Sequence, residues 1–132
     1  YKMVEKHLKP FGAMVTQSTS PLYSPEAFLC IKKTMQVAGF SVLPYQNSVP
    51  SMGQWGWQLG VRKKAMSEDL LKQKLTMKKF LNIETQFFNQ DAMISMAHFG
   101  KGLFEKEGEI EPNTQFDHNI LKYYKHGSWD LY

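Results

Sequence analysis

The chain has 132 residues, of which 42% are hydrophobic and 14% aromatic, and this composition excludes a disordered polar polypeptide. A formal net charge of +4 is too small to indicate a nucleic-acid partner. The single cysteine, Cys30, excludes an internal disulfide and favours a reducing, cytoplasmic setting, and no apolar run reaches the roughly 20 residues that span a bilayer.

The first half of the chain predicts a strand, a helix and a strand. Residues 1–9 have helical spacing that Pro10 and Gly12 end, and the short apolar run 13–16 predicts a strand buried on both faces of a parallel sheet. Ser24 and Pro25 are typical of a helix start, Gly39 of a helix end, and residues 40–43 of a second strand. A βαβ unit normally gives parallel neighbouring strands, so we expect part of a parallel sheet.

The second half predicts one more strand and several helices. Pro44 and Pro50 bracket a less regular stretch before a strand over residues 54–61, and the short connection requires this strand to pair antiparallel with the preceding one. We expect helices over about 68–79 and 90–99 and a last helix from Asp117, with a loop over 102–112. The predicted fold class is α/β, in one folded unit.

Two stretches are candidates for a binding site. Ligands of open parallel sheets bind beyond the carboxyl ends of the strands, where Gln17 would offer both a donor and an acceptor. The alternative is that Gln17 only satisfies the loop backbone. Residues 49–57 place two glycines beside Trp55 and Trp57, which indicates either a shaped aromatic wall or a shared core face.

Other chemistries receive little support from the sequence. The lysines of residues 62–79 are typical of a solvated helix face rather than a phosphate site. The four histidines lack the paired spacing of zinc ligands, so no metal is expected. Cys30 would lie within the first long helix as a small buried side chain, and the chain has no glycine-rich phosphate loop. These residues alone do not name a reaction.

The string His7 to Phe28, with Gln-Ser-Thr-Ser-Pro at the end of the strand, resembles the spermidine synthase family of polyamine aminopropyltransferases. Residues 49–57, 87–91 and 116–129 resemble later parts of the same family. The resemblance implies the C-terminal half of a Rossmann-like methyltransferase-type sheet, namely the βαβ unit and a final antiparallel strand, with additional C-terminal helices. Because the sequence starts at Tyr1, we expect residues 1–132 to be a single partial domain of a longer parent.

By this resemblance the parent transfers the aminopropyl group of decarboxylated S-adenosylmethionine to putrescine or a related amine, giving spermidine and methylthioadenosine. The family's catalytic aspartates and its nucleoside-binding loop would precede Tyr1, so no catalytic residue, tightly bound cofactor or activity is expected in this fragment alone. Gln17 would be a polar contact in the diamine pocket and Trp55 an apolar lining residue, with Tyr23 and Met52 as further contributors. Met52 stands where many spermidine synthases have tyrosine, which leaves the acceptor amine open.

Two further hypotheses remain open. The chain could be a non-catalytic binding or self-association module, which would form a homo-oligomer through an exposed sheet edge. Nucleic-acid binding through the lysines would require strongly salt-dependent retention on DNA, and we do not expect it. Relatives with this loop style can carry membrane-spanning helices before the catalytic domain, so the parent could be attached to the inner membrane while this part stays in the cytoplasm.

Overall fold

The computed structural model describes residues 1–79 and 82–131. Within those ranges the helices are α1 (Lys2–His7), α2 (Pro25–Val37), α3 (Glu68–Thr76), α4 (Gln90–Met96) and α5 (Asn119–Lys125), and the strands are β1 (Ala13–Gln17), β2 (Phe40–Val49) and β3 (Gly53–Arg62). Short 3₁₀ turns occupy Glu107–Glu109 and Trp129–Leu131. The α/β class is confirmed, and no helix in the described ranges has the length and apolarity to cross a bilayer.

The three strands form an antiparallel sheet in the order β1-β3-β2. β1 and β2 run parallel to each other, as a βαβ unit requires, but β3 lies between them and pairs antiparallel with both. The prediction that β1 and β2 form a parallel sheet as neighbours is therefore wrong. The cause is the connection of only three residues after β2, which lets β3 fold back beside it and into the gap.

The hairpin of β2 and β3 confirms the predicted antiparallel pair. The strands pair from Phe40 opposite Arg62 to Val49 opposite Gly53, and the backbone N–H of Met52 donates to the carbonyl of Val49 at 2.9 Å. Gly53 has φ +68°, a left-handed conformation that closes a three-residue hairpin loop and that glycine adopts without steric cost.

β2 extends six residues beyond its predicted end and passes through Pro44. The N–H of Val42 points away from β3, because it donates to Oε1 of Glu68 at 3.1 Å. Residues two apart on a strand point their N–H groups to the same side, so Pro44 lacks an N–H only on the outer edge. No bond of the ladder is lost, and the prediction that Pro44 begins an irregular stretch is wrong.

β1 is the second edge strand and is less buried than predicted. Ala13, Val15 and Gln17 are exposed and Met14 and Thr16 are half-buried. The prediction of a strand buried on both faces is wrong for these described residues, because the side chains on one face of β1 are exposed and those on the other face are only half-buried.

The core lies on both sides of α2 and beneath α3. One buried cluster joins α2 to the sheet through Met35, Phe40 and Val42. A second joins the other side of α2 to later residues, with Phe28, Leu29, Cys30 and Ile110 as its members. A third, made of Leu43, Val61 and Leu71, places α3 against the opposite face of the sheet. The interpretation of Cys30 as a packed side chain is confirmed.

The helix boundaries follow their capping signals with small differences. Pro25 begins α2 and Gly39, with φ +102°, follows its end, as predicted. α3 and α4 are shorter than expected. The N–H of Met77 still donates to the carbonyl of Gln73, but the next N–H, of Lys78, donates to Leu75, three residues back. At the end of α4 the N–H of Ala97 donates to Ile94, also three residues back. The last helix starts at Asn119 rather than at Asp117.

Candidate acceptor site at the end of strand β1

The loop between β1 and α2, residues 18–24, is fixed to the middle of β3. The N–H of Ser18 donates to the carbonyl of Gly56 at 2.9 Å, and the N–H of Gly56 donates to the carbonyl of Thr19 at 2.7 Å. Within the loop, the hydroxyl oxygen of Ser20 accepts from the N–H of Leu22 and of Tyr23. These bonds continue the β1–β3 pairing past the last paired residue and hold the loop against the sheet.

Thr19 has a strained backbone. Its φ is +63°, in the left-handed region that β-branched residues rarely enter, and its side chain is buried. Such conformations cost about 1–3 kcal/mol and persist where surrounding contacts impose them. Here the pair of bonds to Gly56 imposes it, so the loop is a built feature of the fold and not a relaxed surface turn.

Position 56 requires glycine because the Phe28 ring and the loop backbone at Thr19 both lie against it. A Cβ at this position would clash with the Phe28 ring and would lie only 2.9 Å from the carbonyl oxygen of Thr19. Only a residue without a side chain allows the loop and α2 to approach the strand this closely.

Gln17 lies at the end of β1, directly opposite Trp57. Its side chain is exposed, whereas Trp57 is half-buried and stacks on Tyr45 of β2, with ring centroids 5.6 Å apart and planes at 15°. Burial raises the pKa of Tyr45. Paired residues of an antiparallel sheet share a face. One amide and two stacked rings therefore form a surface on the sheet face opposite α2.

Trp55 is on the same face as Gln17 but is its diagonal neighbour. Residues in this relation are about 7–8 Å apart, within reach of long and aromatic side chains. Trp55 is half-buried and pairs with Asn47 in register, and its indole Nε1 is buried with no hydrogen-bond partner among the described residues. The two predicted contacts thus lie on one face, with Trp57 the nearer to Gln17.

The ring of Tyr23 reaches the hairpin turn that contains Met52. The hydroxyl of Tyr23 lies 3.4 Å from the position of a Cβ on Gly53, the residue that follows Met52. The structure thus brings the loop of residues 18–24 against the turn between β2 and β3. Tyr23 therefore lies near the turn that holds Met52, while Gln17 and Trp55 share a face of the sheet.

Among the described residues, five cavities of 190–570 Å³ have linings that do not include these four residues. One apolar cavity of 190 Å³ lies on the same sheet face as Gln17, over Val15, Tyr45 and Leu59. The chemistry that the four side chains offer is hydrogen bonding and apolar contact, because none of them is a carboxylate that could take a proton. In the described ranges no three His, Cys, Asp or Glu side chains form a metal-ligand group.

Three residues of this region are not among the predicted contacts. The sequence pattern puts Tyr45 in an irregular stretch, and it leaves Trp57 either in a shaped aromatic wall or on a core face. Gln58 is fully buried on the α2 side, where its Nε2 donates to the carbonyl of Phe28 at 3.2 Å and its Oε1 has no partner among the described residues. Strand alternation carried the signal, since it places Gln58 opposite to the face that holds both tryptophans.

The model of the spermine/spermidine synthase domain matches residues 1–74, more than half of the chain. This chain belongs to that family. The match includes β1, the loop that follows it, α2 and the whole β2–β3 hairpin. Gln17, Tyr23, Met52 and Trp55 therefore all lie in the matched part of the chain. The suspected resemblance is confirmed.

Curated relatives extend the similarity along the chain. Polyamine aminopropyltransferase 2 of Ralstonia nicotianae is 26% identical over 125 residues, which are 95% of this chain and 22% of the relative. The polyamine aminopropyltransferase of Oceanobacillus iheyensis is 27% identical over 134 residues, covering all of this chain and 24% of the relative. That of Shewanella oneidensis is 41% identical over 59 residues, 45% of this chain and 10% of the relative. The chain thus spans about a quarter of the length of the first two.

Proposed function

We propose that this chain forms the acceptor side of the active site of a polyamine aminopropyltransferase. The parent would transfer the aminopropyl group of decarboxylated S-adenosylmethionine to putrescine or a related amine, giving spermidine and methylthioadenosine. The observation that carries the proposal is that one family match, over residues 1–74, includes all four predicted contact residues, while the relatives that cover the chain are named for this transfer. We place the reaction in the cytoplasm.

Gln17 would bind the amine end of the acceptor. Its amide oxygen can accept from an ammonium or amine group, and its position opposite Trp57 puts the amide beside an aromatic face that attracts cations. A strained loop held by Gly56 keeps the end of β1 in place before the substrate arrives, which reduces the cost of ordering it on binding.

Tyr23, Met52 and Trp55 would determine the length and polarity of the acceptor that fits. Met52 supplies apolar, polarisable contact where a tyrosine would supply a hydroxyl, and Tyr23 lies beside the same turn. The proton on the attacking amine must be taken by a carboxylate outside these four residues, so we propose that the catalytic aspartates and the nucleoside site belong to the rest of the parent chain. The fragment alone would then be inactive, and its sheet would complete a Rossmann-like methyltransferase-type sheet beside β1.

The test is transfer by the full-length encoded protein. Purified protein is given decarboxylated S-adenosylmethionine with putrescine or spermidine, and methylthioadenosine and the polyamine product are measured. Absence of transfer to any di- or triamine would reject the activity. Gln17→Leu should raise KM for the amine roughly 10-fold or more, since a hydrogen bond to a charged group is worth about 1.5–3 kcal/mol.

The matched control for Gln17→Leu is Gln54→Leu. Gln54 is also an exposed glutamine of the same sheet, but it alternates to the other face from Trp55 and Trp57. Its substitution should leave KM for the amine and KM for decarboxylated S-adenosylmethionine unchanged. Equal effects of the two substitutions would show that Gln17 acts through general surface polarity and not through contact with the amine.

A second candidate function is self-association, which the outer edge of β1 favours. In the described chain β1 pairs on one side only, and Val15 on it is 52% exposed, so its backbone can add another strand. Sedimentation velocity over a range of concentrations distinguishes the two proposals. A concentration-dependent dimer that a proline at Val15 abolishes would support association through this edge, whereas a monomer at all concentrations would reject it.

A further inference from the structure

The loop of residues 18–24 has a second attachment, on the side away from the sheet. The N–H of Ser128 donates to the carbonyl of Tyr23 at 2.8 Å. Close by, Nδ1 of His126 and Oε2 of Glu26, in the first turn of α2, are 2.8 Å apart. Residues 126–129 are here called the tail segment. The two contacts connect it to Tyr23 in the loop and to Glu26 at the start of α2.

The tail segment is held against α5 by several contacts. Trp129 stacks on Tyr124 of α5, with centroids 5.9 Å apart and planes at 13°, and its Nε1 donates to the carbonyl of Tyr124 at 2.8 Å. The N–H of Gly127 donates to the same carbonyl. A Cβ on Gly127 would lie 2.5 Å from Nε1 of Trp129, so the indole fills the space over the glycine.

α5 anchors the tail segment to the core. Ile120 and Tyr123 pack against the buried cluster that contains Phe28, and the Nδ2 of Asn119, a buried residue, donates to the carbonyl of Pro112 at 3.0 Å. Ser128 is therefore connected through α5 to the buried cluster on α2.

The loop is consequently held between two fixed structures. Gly56 binds Thr19 from the sheet side, and Ser128 binds Tyr23 from the other. The ring of Tyr23 in turn touches the hairpin turn at Gly53, next to Met52. The family match ends at residue 74, so the tail segment lies outside the matched part of the chain.

We propose that the tail segment, residues 126–129, is a positioning element that sets the place of Tyr23 and the hairpin turn and so controls affinity for the acceptor amine. The inference rests on the proposed function. The tail segment acts through Tyr23 and Glu26, and its own side chains do not touch the substrate. It should therefore change KM for the amine and not KM for decarboxylated S-adenosylmethionine.

The experiment uses the full-length protein with His126→Phe and Glu26→Gln. Phenylalanine keeps a ring against Tyr123, which His126 contacts edge to face, but removes the polar bond to Glu26. His126→Phe should raise KM for the amine about three- to fivefold, with kcat and the other KM within twofold of the original values. Glu26→Gln should raise it less, because an amide oxygen can still accept from His126. His126→Asn, whose Nδ2 can replace Nδ1 as a donor to the carboxylate, should restore most of the affinity.

Lys122→Gln is the matched control. It breaks another exposed ion pair, between Lys122 of α5 and Asp117 before that helix, 3.6 Å apart. Nζ of Lys122 also donates to Oδ1 of Asn119 at 3.1 Å, and neither partner belongs to the loop. This control should leave both KM values unchanged. Hydrogen exchange of the peptide covering residues 18–28 gives a readout independent of activity, and exchange should be faster in His126→Phe and Glu26→Gln than in Lys122→Gln.

The outcomes separate the two proposals. A full-length protein without transfer activity would overturn the proposed function and the positioning role with it. An active protein in which His126→Phe and Glu26→Gln leave amine KM and loop exchange unaltered would overturn the positioning role alone. A rise in both KM values with a lower melting temperature, not rescued by His126→Asn, would show a purely structural contact and would also overturn it.

Discussion

Gly56 and Phe28 are in direct contact across the sheet–helix interface, with no room between the glycine α-carbon and the ring for a methyl group. Gly56→Ala must therefore displace either the Phe28 ring or the loop at Thr19. Forced packing of this kind costs about 1–3 kcal/mol, and the urea midpoint should fall accordingly. Gly100→Ala is the control, because a Cβ there meets no atom within 4 Å. Equal midpoints for the two variants would contradict the close approach.

Two serines at helix starts should respond differently to alanine. Ser67 accepts a hydrogen bond from the N–H of Leu70 at 3.3 Å, whereas the hydroxyl of Ser24 is buried without a partner among the described residues. Ser67→Ala should lower the free energy of unfolding by about 1 kcal/mol, and Ser24→Ala should be close to neutral because it removes an unsatisfied hydroxyl. Chemical denaturation measures both, and a larger loss for Ser24→Ala would show that its hydroxyl is bonded in solution.

The side chain of Glu68 closes the outer edge of β2. Its Oε1 accepts from the N–H of Val42 at 3.1 Å and from Nε2 of Gln36 at 2.8 Å. Glu68→Ala leaves a buried backbone N–H unpaired and should cost about 2 kcal/mol of unfolding free energy. Glu68→Gln should cost less, because an amide oxygen still accepts. Asp69→Ala removes the neighbouring acid of the same helix turn and should have little effect, so similar losses at both positions would point to the helix dipole instead.

Burial raises the pKa of the Cys30 thiol above its ordinary value of 9.0, with hydrogen bonds from Thr34 and Asn113 acting in the opposite direction. The folded state therefore keeps this proton where the unfolded state has lost it, so the thiol stabilises the fold less as pH rises above about 9. Unfolding free energy measured between pH 8 and pH 10 should decline more steeply in the original protein than in Cys30→Ala. Parallel curves would show that the thiol titrates equally in both states.

The sequence was sufficient for those features that neighbouring residues determine. Ser24 and Pro25 predict the start of α2, and a connection too short for a crossover was enough to predict the antiparallel pair of β2 and β3. The position of β3 between β1 and β2 could not be predicted from residue patterns, because strand order depends on contacts far apart along the chain. Pro44 was misleading for the same reason, since a proline is compatible with a strand only when its edge is known.

The site was predictable in its composition more than in its arrangement. The family resemblance indicates Gln17 and Trp55, and alternation along the paired strands places them on one face. That Trp57 would be the direct partner of Gln17 depends on the register of two strands separated by more than thirty residues, which local spacing does not fix. The strain at Thr19 has no sequence signal, because threonine rarely takes a left-handed backbone.

The sheet has one blocked side and one open side. Proline and the Glu68 carboxylate occupy the outer side of β2, whereas β1 meets no strand beyond it in the described chain. Growth of the sheet can therefore proceed in one direction only. If two copies paired through β1, the β1 edge of each would be covered by the other. The β2 edges at the two ends of the joined sheet would remain blocked, so the product would be a dimer and not a fibre.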